Sequence, residues 1–241
     1  MEIAVAQPSC VSFEVARNAV AHAETVRSAA ARLTVFPELS LTGYEMTAPA
    51  VAVDDPALAP IVGACAETGS VALVGAPVAG EGNRAHIAML AVDGAGVEIA
   101  YRKMYLGGAE PSRFVPGDEP AVLEVDGWRV GLAICKDSGD PRHAAETAAV
   151  GMDLYACGLV HGAHEEAEHA RRACRVCADH RVWVAMASFA GPTGGGFDHT
   201  AGRSGVWAPD GTVLARAGRA SGEFVRVTLP ARARPGNRAT A

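Results

Sequence analysis

The sequence predicts an α/β fold in four layers, with two β-sheets face to face and helices on the outside. Three observations lead there. Apolar segments with the two-residue period of a strand outnumber helical segments. Three of those strands stop at a charged or reactive side chain, Glu38, Lys103 and Cys135, the kind of strand end where an α/β sheet exposes its chemistry. No linker and no repeat at solenoid spacing interrupts the 241 residues, so a single domain over residues 1–229 is expected, with a flexible basic tail over 230–241.

Taken in order, residues 2–7 alternate apolar and small side chains as a first strand, closed by Pro8 and Ser9. Residues 13–33 are Ala-rich with few breakers and predict a long amphipathic helix. Residues 33–36 are a short strand ending in Pro37-Glu38, followed by a turn at 41–44. A Pro/Asp-rich loop over 49–60 feeds a helix around 58–68, and residues 71–76 form a strand. Residues 86–92 and 97–101 pair as a hairpin around Asp93-Gly94, and the second strand runs into Arg102-Lys103. After a Gly/Pro-rich loop, residues 121–125 and 128–134 pair through Asp126-Gly127. Helices over 142–150 and 165–180 alternate with strands over 153–157 and 182–188. A Gly-rich loop spans 190–199, and late strands cover 205–208, 213–217 and 223–228.

Composition excludes several classes. Hydrophobic residues make up 49 % and charged residues 20 %, the balance of a globular chain rather than a disordered one. A net charge of −6 with no basic stripe argues against a nucleic-acid partner. No apolar run reaches the length of a membrane span, and the first residues lack the basic and apolar regions of a secretory signal. Cys10, Cys65, Cys135, Cys157, Cys174 and Cys177 show no disulfide spacing, so free thiols in a reducing cytoplasm are expected.

Cys135 ends the strand 128–134 ahead of a polar turn, Lys136-Asp-Ser-Gly-Asp-Pro141. On position alone it reads equally as a nucleophile and as a buried structural thiol. Other cysteines and histidines read as bland. Cys174 and Cys177 form a C-x-x-C inside a predicted helix with no second ligand pair, which points to packing and not to metal. His164 and His169 do not share a helix face, so the group His161, His164 and His169 is expected to be solvated. Gly194-Gly-Gly196 lacks the Lys-Ser/Thr of a phosphate loop.

Three motifs together carry a more specific signal. Val35-Phe-Pro-Glu-Leu-Ser-Leu-Thr-Gly-Tyr44 resembles the first motif of the nitrilase superfamily of carbon–nitrogen hydrolases. Tyr101-Arg-Lys-Met-Tyr-Leu106 resembles its lysine motif and Gly131-Leu-Ala-Ile-Cys-Lys-Asp137 its cysteine motif. Phe114-Val-Pro-Gly117 and the run ending at Gly211 match the same pattern, so the resemblance covers nearly the whole chain. It implies an α-β-β-α sandwich of the carbon–nitrogen hydrolase type and a Glu38, Lys103, Cys135 triad, with Glu110 as a second glutamate that positions substrate and lysine. It implies no metal and no cofactor, and a homodimer or higher homo-oligomer.

The residue types suit that chemistry. An amide resists water, so a thiolate generated by an adjacent base is the stronger nucleophile. Glu38 would serve as that base, and Lys103 with the Lys136 backbone N–H would hold the oxyanion. The expected reaction is hydrolysis of a small linear amide through a thioester, releasing ammonia or an amine. The alternatives are acyl transfer to an amine from the same thioester and hydrolysis of a carbamoyl compound. Nitrile hydrolysis fits less well, because Lys136 stands where nitrile-hydrolysing members carry Trp. The arginine that many members place four residues after the cysteine is Gly139 here. Lys136 either supplies a replacement charge or points to solvent. His161, Tyr44 and Phe189 are the remaining candidates for substrate contact, each also explicable as surface or core.

Overall fold

The computed structural model describes residues 1–230; the tail expected beyond lies outside them from residue 231 on. The chain runs β1 (Glu2–Gln7), α1 (Val15–Ala29), β2 (Leu33–Val35), α2 (Ala59–Thr68), β3 (Val71–Ala79), β4 (Ala85–Val92) and β5 (Val97–Arg102). The second half runs β6 (Val122–Val125), β7 (Trp128–Ile134), α3 (Lys136–Gly139), α4 (Pro141–Val150), β8 (Leu154–Leu159), α5 (Glu166–His180) and β9 (Trp183–Ser188). It closes with β10 (Ala190–Gly191), β11 (Thr200–Ala201), β12 (Gly205–Trp207), β13 (Val213–Arg216) and β14 (Glu223–Thr228).

Two six-stranded sheets form, in the orders β14-β1-β2-β3-β4-β5 and β13-β12-β9-β8-β7-β6. Each holds three adjacent parallel strands, β1-β2-β3 in one and β7-β8-β9 in the other, flanked by antiparallel partners in the same pattern. The strand period sorts side chains between layers. Along β7 and β8, Val130, Leu132, Ile134, Leu154 and Ala156 enter the core between the sheets. Ala133, Tyr155 and Cys157 turn the other way, into a cluster with Ala144 of α4 and with Ala173, Val176 and Cys177 of α5. Ala19, Ala23 and Val26 of α1 do the same for Ala72 and Val74 of β3. The four expected layers are therefore present.

Boundaries shift where backbone geometry stops an element. The first helix covers 15 residues instead of the expected 13–33, because Phe13 at φ 67° and Ala30 at φ 44° are left-handed. The residues after Cys135 are a short helix, not an open turn. Arg172 and Arg175 from α5 donate to the carbonyls of Cys135, Ser138 and Gly139, and so satisfy groups that would otherwise face water. Asp140 then caps α4 by accepting from the Arg142 N–H at 2.9 Å, with Pro141 in the first turn. The Gly-rich loop over 190–199 is tied at its ends by the β10–β11 pair.

Candidate active site

The segment Pro37–Leu39 lies between the two sheets. A Cβ on Gly75 of β3 would meet Leu39 N at 2.3 Å, and one on Gly158 of β8 would meet Phe36 O at 2.5 Å. Only glycine permits both approaches. Leu41 N–H donates to the Gly75 carbonyl at 2.9 Å, and Leu39 takes a positive φ of 52° to turn the chain out. Glu38 is thereby buried, at 1 % exposure.

Lys103 follows β5, pinned by its N–H on the Ile87 carbonyl at 2.8 Å and its carbonyl on the Gly117 N–H at 2.8 Å. Its ammonium donates to Glu38 Oε1 at 2.6 Å and to Glu110 Oε1 at 2.7 Å. Glu110 opens a helical turn, Glu110–Ser112, and is fixed by the Tyr44 hydroxyl at 2.8 Å and the Gly107 N–H at 2.8 Å. The second Glu38 oxygen, Oε2, is buried with no partner among the described residues. Burial drives the Glu38 carboxyl up to about 7; Lys103 opposes the rise and Glu110 adds to it. Burial alone would push the Lys103 ammonium down, but Glu38, Cys135 and Glu110 hold it above its ordinary value.

Cys135 adopts φ 41° and ψ −94°, a sparsely populated conformation. Its N–H donates to the Gly158 carbonyl at 2.9 Å and its thiol approaches the Val160 carbonyl at 3.5 Å. Burial, and then the Glu38 charge, raise the thiol well above its usual value, so the resting form is S–H. The backbone N–H of Lys136, first in α3, has no acceptor within that helix.

Asp137 sets this elbow. Oδ2 accepts from the Ile134 N–H at 2.9 Å and the Tyr101 hydroxyl at 2.8 Å, and Oδ1 accepts from the Tyr105 N–H at 2.8 Å. Tyr101 Oη also meets His143 Nε2 at 2.8 Å, and His143 Nδ1 meets the Tyr155 hydroxyl at 2.9 Å. With Tyr101 donating to Asp137, the network assigns His143 as the Nε2–H tautomer. Asp137→Asn places an N–H₂ where three donors converge and should destabilise the fold by about 2–3 kcal/mol, read from denaturant melts. An unchanged melting midpoint would contradict this account of the elbow.

Cys135, Lys103, Glu110, Tyr44, Lys136 and His161 all line one cavity of about 460 Å³. The pattern of the carbon–nitrogen hydrolases matches residues 2–235. The chain belongs to the carbon–nitrogen hydrolase family. A hydrolase from the pqqF 5′ region of Pseudomonas protegens is 31 % identical over 141 residues, which is 55 % of this chain and 50 % of that protein. A Mycobacterium tuberculosis hydrolase is 31 % identical over 144 residues, 56 % of this chain and 51 % of its own length. The chain spans about half the length of these curated relatives. Among solved structures, a Nesterenkonia AN1 amidase of the nitrilase superfamily superposes with a TM-score of 0.86 at 24 % identity, over 95 % of this chain and 90 % of that one. Saccharomyces cerevisiae Nit3 superposes with a TM-score of 0.83 at 18 % identity, over 94 % and 89 %. These likenesses show the fold of the nitrilase superfamily.

Two expectations for this member of the carbon–nitrogen hydrolase family are corrected by its geometry. Phe189 is not on the cavity wall; it is fully buried, its carbonyl accepting from the Gly202 N–H beside the β10–β11 pair. The aromatic places on the wall belong to Tyr44 and Phe197, edge to face at 5.2 Å. The histidine group is not solvated as a whole. His164 is exposed, but His161 and His169 are buried and stacked, with ring centroids 4.6 Å apart. The helix begins only at Glu166, and its buried stripe is His169, Ala173, Val176 and Cys177. That spacing was the available signal for His169.

Other residues of the cavity wall had no sequence signal. Arg172 reaches it from α5, held by Glu168 Oε1 at 2.6 Å, and its guanidinium occupies the space a side chain at Gly139 would need. Gly195, at φ 64°, lets its loop pass over Tyr44. Lys136 is exposed at the wall and makes no ion pair within 4.0 Å among the described residues. Cys177 packs in the core and Cys174 is exposed; among the described residues no three His, Cys, Asp or Glu side chains are grouped to hold a metal. No helix among the described residues is long and apolar enough to cross a membrane.

Proposed function

We propose that this chain hydrolyses the C–N bond of a small linear amide through a thioester on Cys135. The observation that carries the reading is the buried cluster itself: one ammonium held between two carboxylates, a Glu38 oxygen without a partner among the described residues, and the strained Cys135 on the cavity wall that the ammonium's residue also lines. Glu38 Oε2 takes the Sγ proton as sulfur attacks the carbonyl carbon. Lys103 and the Lys136 N–H stabilise the oxyanion. Glu38 then protonates the departing nitrogen, the C–N bond breaks, and ammonia or an amine leaves. Water attacks the thioester as Glu38 takes its proton; the C–S bond breaks, the thiol is restored and a carboxylic acid departs. Glu110 and Tyr44 hold the lysine where the oxyanion forms. The superfamily amidase from Nesterenkonia, which in a variant carries the acetamide moiety of fluoroacetamide on its active-site cysteine, supports the choice of an amide.

The base must be ionised to accept a proton, so activity needs Glu38 above its pKa. With that carboxyl at about 7, kcat/KM for ammonia release should rise about tenfold per pH unit below pH 7 and level off above it. A profile flat from pH 5 to pH 8 would remove Glu38 as the base. The first experiment is ammonia release from simple aliphatic amides, omega-amides, carbamoyl compounds and nitriles, run with and without an added amine. Acyl transfer to the amine in place of acid formation would overturn hydrolysis and leave the thioester.

A further inference from the structure

We propose that His161 reads the acyl part of the substrate through a ring hydrogen bond, and that His169, stacked behind it, is its positioning residue. The inference rests on the amide-hydrolysis reading and adds a substrate class: amides whose acyl chain carries a polar, non-cationic group.

His161 is 3 % exposed, lines the cavity with Cys135 and Lys103, and has no hydrogen-bond partner for either ring nitrogen among the described residues. A buried polar atom left unpaired is unfavourable, so a ring aimed at a substrate cavity is suited to a polar ligand atom. The backbone sets its place. Val160 takes the Cys135 thiol contact, and the next carbonyl, that of His161, accepts from the Ala201 N–H at 2.9 Å. The imidazole thus belongs to the residue after the one the thiol touches, on the cavity wall that Cys135 also lines.

His169 is 2 % exposed, and its ring lies at 27° to that of His161. Stacking fixes the plane of His161 while leaving its ring edge available. Burial, and next the Arg172 charge, push His161 down to about 4; burial and then His161 push His169 down to about 3. An uncharged imidazole offers one donor and one acceptor, so it serves a hydroxyl, a carbonyl or a carboxylate. Arg172 and Lys136 on the same wall disfavour a cation there. The wall's carboxylates are both held, Glu165 Oε2 by the Gly162 N–H at 2.8 Å and Glu110 Oε1 by the Lys103 ammonium at 2.7 Å.

The test compares matched amides in which a hydroxyl replaces a methyl: 3-hydroxypropanamide with butanamide, 4-hydroxybutanamide with pentanamide, and 2-hydroxypropanamide with 2-methylpropanamide. At least one hydroxyl partner should exceed its methyl partner by about 5- to 100-fold in kcat/KM, with most of the difference in KM. His161→Phe should bring that ratio to near one, and His161→Gln should restore part of it. His169→Ala should lower the ratio and His169→Phe, which can still stack, should keep it. A His169 that serves only the fold would move the melting midpoint and leave the ratio alone. Calorimetric binding of the same pairs to Cys135→Ala separates the two levels of the argument. Preferential binding without turnover would retain His161 and sink the thioester reading. Equal rates and equal binding within every pair, or a ratio preserved in His161→Phe, overturn the inference.

Discussion

Cys135→Ala should lower kcat for amide hydrolysis by about 10⁴-fold or more, and Cys135→Ser should do nearly as badly. The proposed base, with its carboxyl at about 7, matches a thiol far better than a hydroxyl, so serine in the same position should not be deprotonated. The fold should survive. Among the described residues the thiol makes one long hydrogen bond, 3.5 Å to the Val160 carbonyl, whose loss costs less than about 1 kcal/mol. The backbone at φ 41° and ψ −94° adds a further expectation. Cys135→Gly should melt no lower than Cys135→Ala, because glycine tolerates that conformation. Acid-quenched wild type in turnover should carry the acyl mass on the peptide containing Cys135. Near-normal ammonia release from Cys135→Ala would end the case for this nucleophile.

Lys103→Met should be damaging twice over. Chemically it removes the proposed oxyanion donor, about 10²–10³ in kcat. Structurally it leaves Glu38 and Glu110 facing one another without the ammonium now 2.6 and 2.7 Å from them. Breaking a buried pair this way destabilises by about 3–5 kcal/mol. The loss should depend on pH in a definite direction. Burial already raises Glu38 from 4.5 to about 7, so its ionisation works against folding as pH climbs through that interval. Without Lys103, which opposes that rise, the folded-state Glu38 carboxyl rises further. The variant should therefore be most unstable at pH 8 and recover as pH falls toward 5, in denaturant melts at the two pH values. Equal destabilisation at both would mean that the lysine does not neutralise the carboxylates.

Much of this was legible because it is local. Glu38, Lys103 and Cys135 each follow a strand closely, and a strand end announces itself in a change from apolar alternation to charge and turn formers. The layers followed from the same alternation. What escaped the sequence depends on partners distant along the chain. Arg172 and Arg175 look like helix-surface arginines beside Glu168, and nothing local says that they cap Cys135, Ser138 and Gly139. The link from Asp137 through Tyr101 and His143 to Tyr155 joins four elements. His161 was reached as a candidate, but its partner was misjudged by measuring from His164, which stands outside the helix. The matching strand pattern of the two sheets also carries no repeat in sequence, since the topology constrains only which positions are apolar.

The glycines at 75 and 158 tie two properties that are often separate. Glu38 rides in a seam with one wall from each sheet, so its coordinates are set by how the two halves of the molecule register against each other. A misplacement of about 1 Å at a reacting group is enough to lose about 10²-fold in rate. Slippage between the halves would therefore silence the proposed chemistry long before the chain comes apart, and turnover would report on the tightness of the interior.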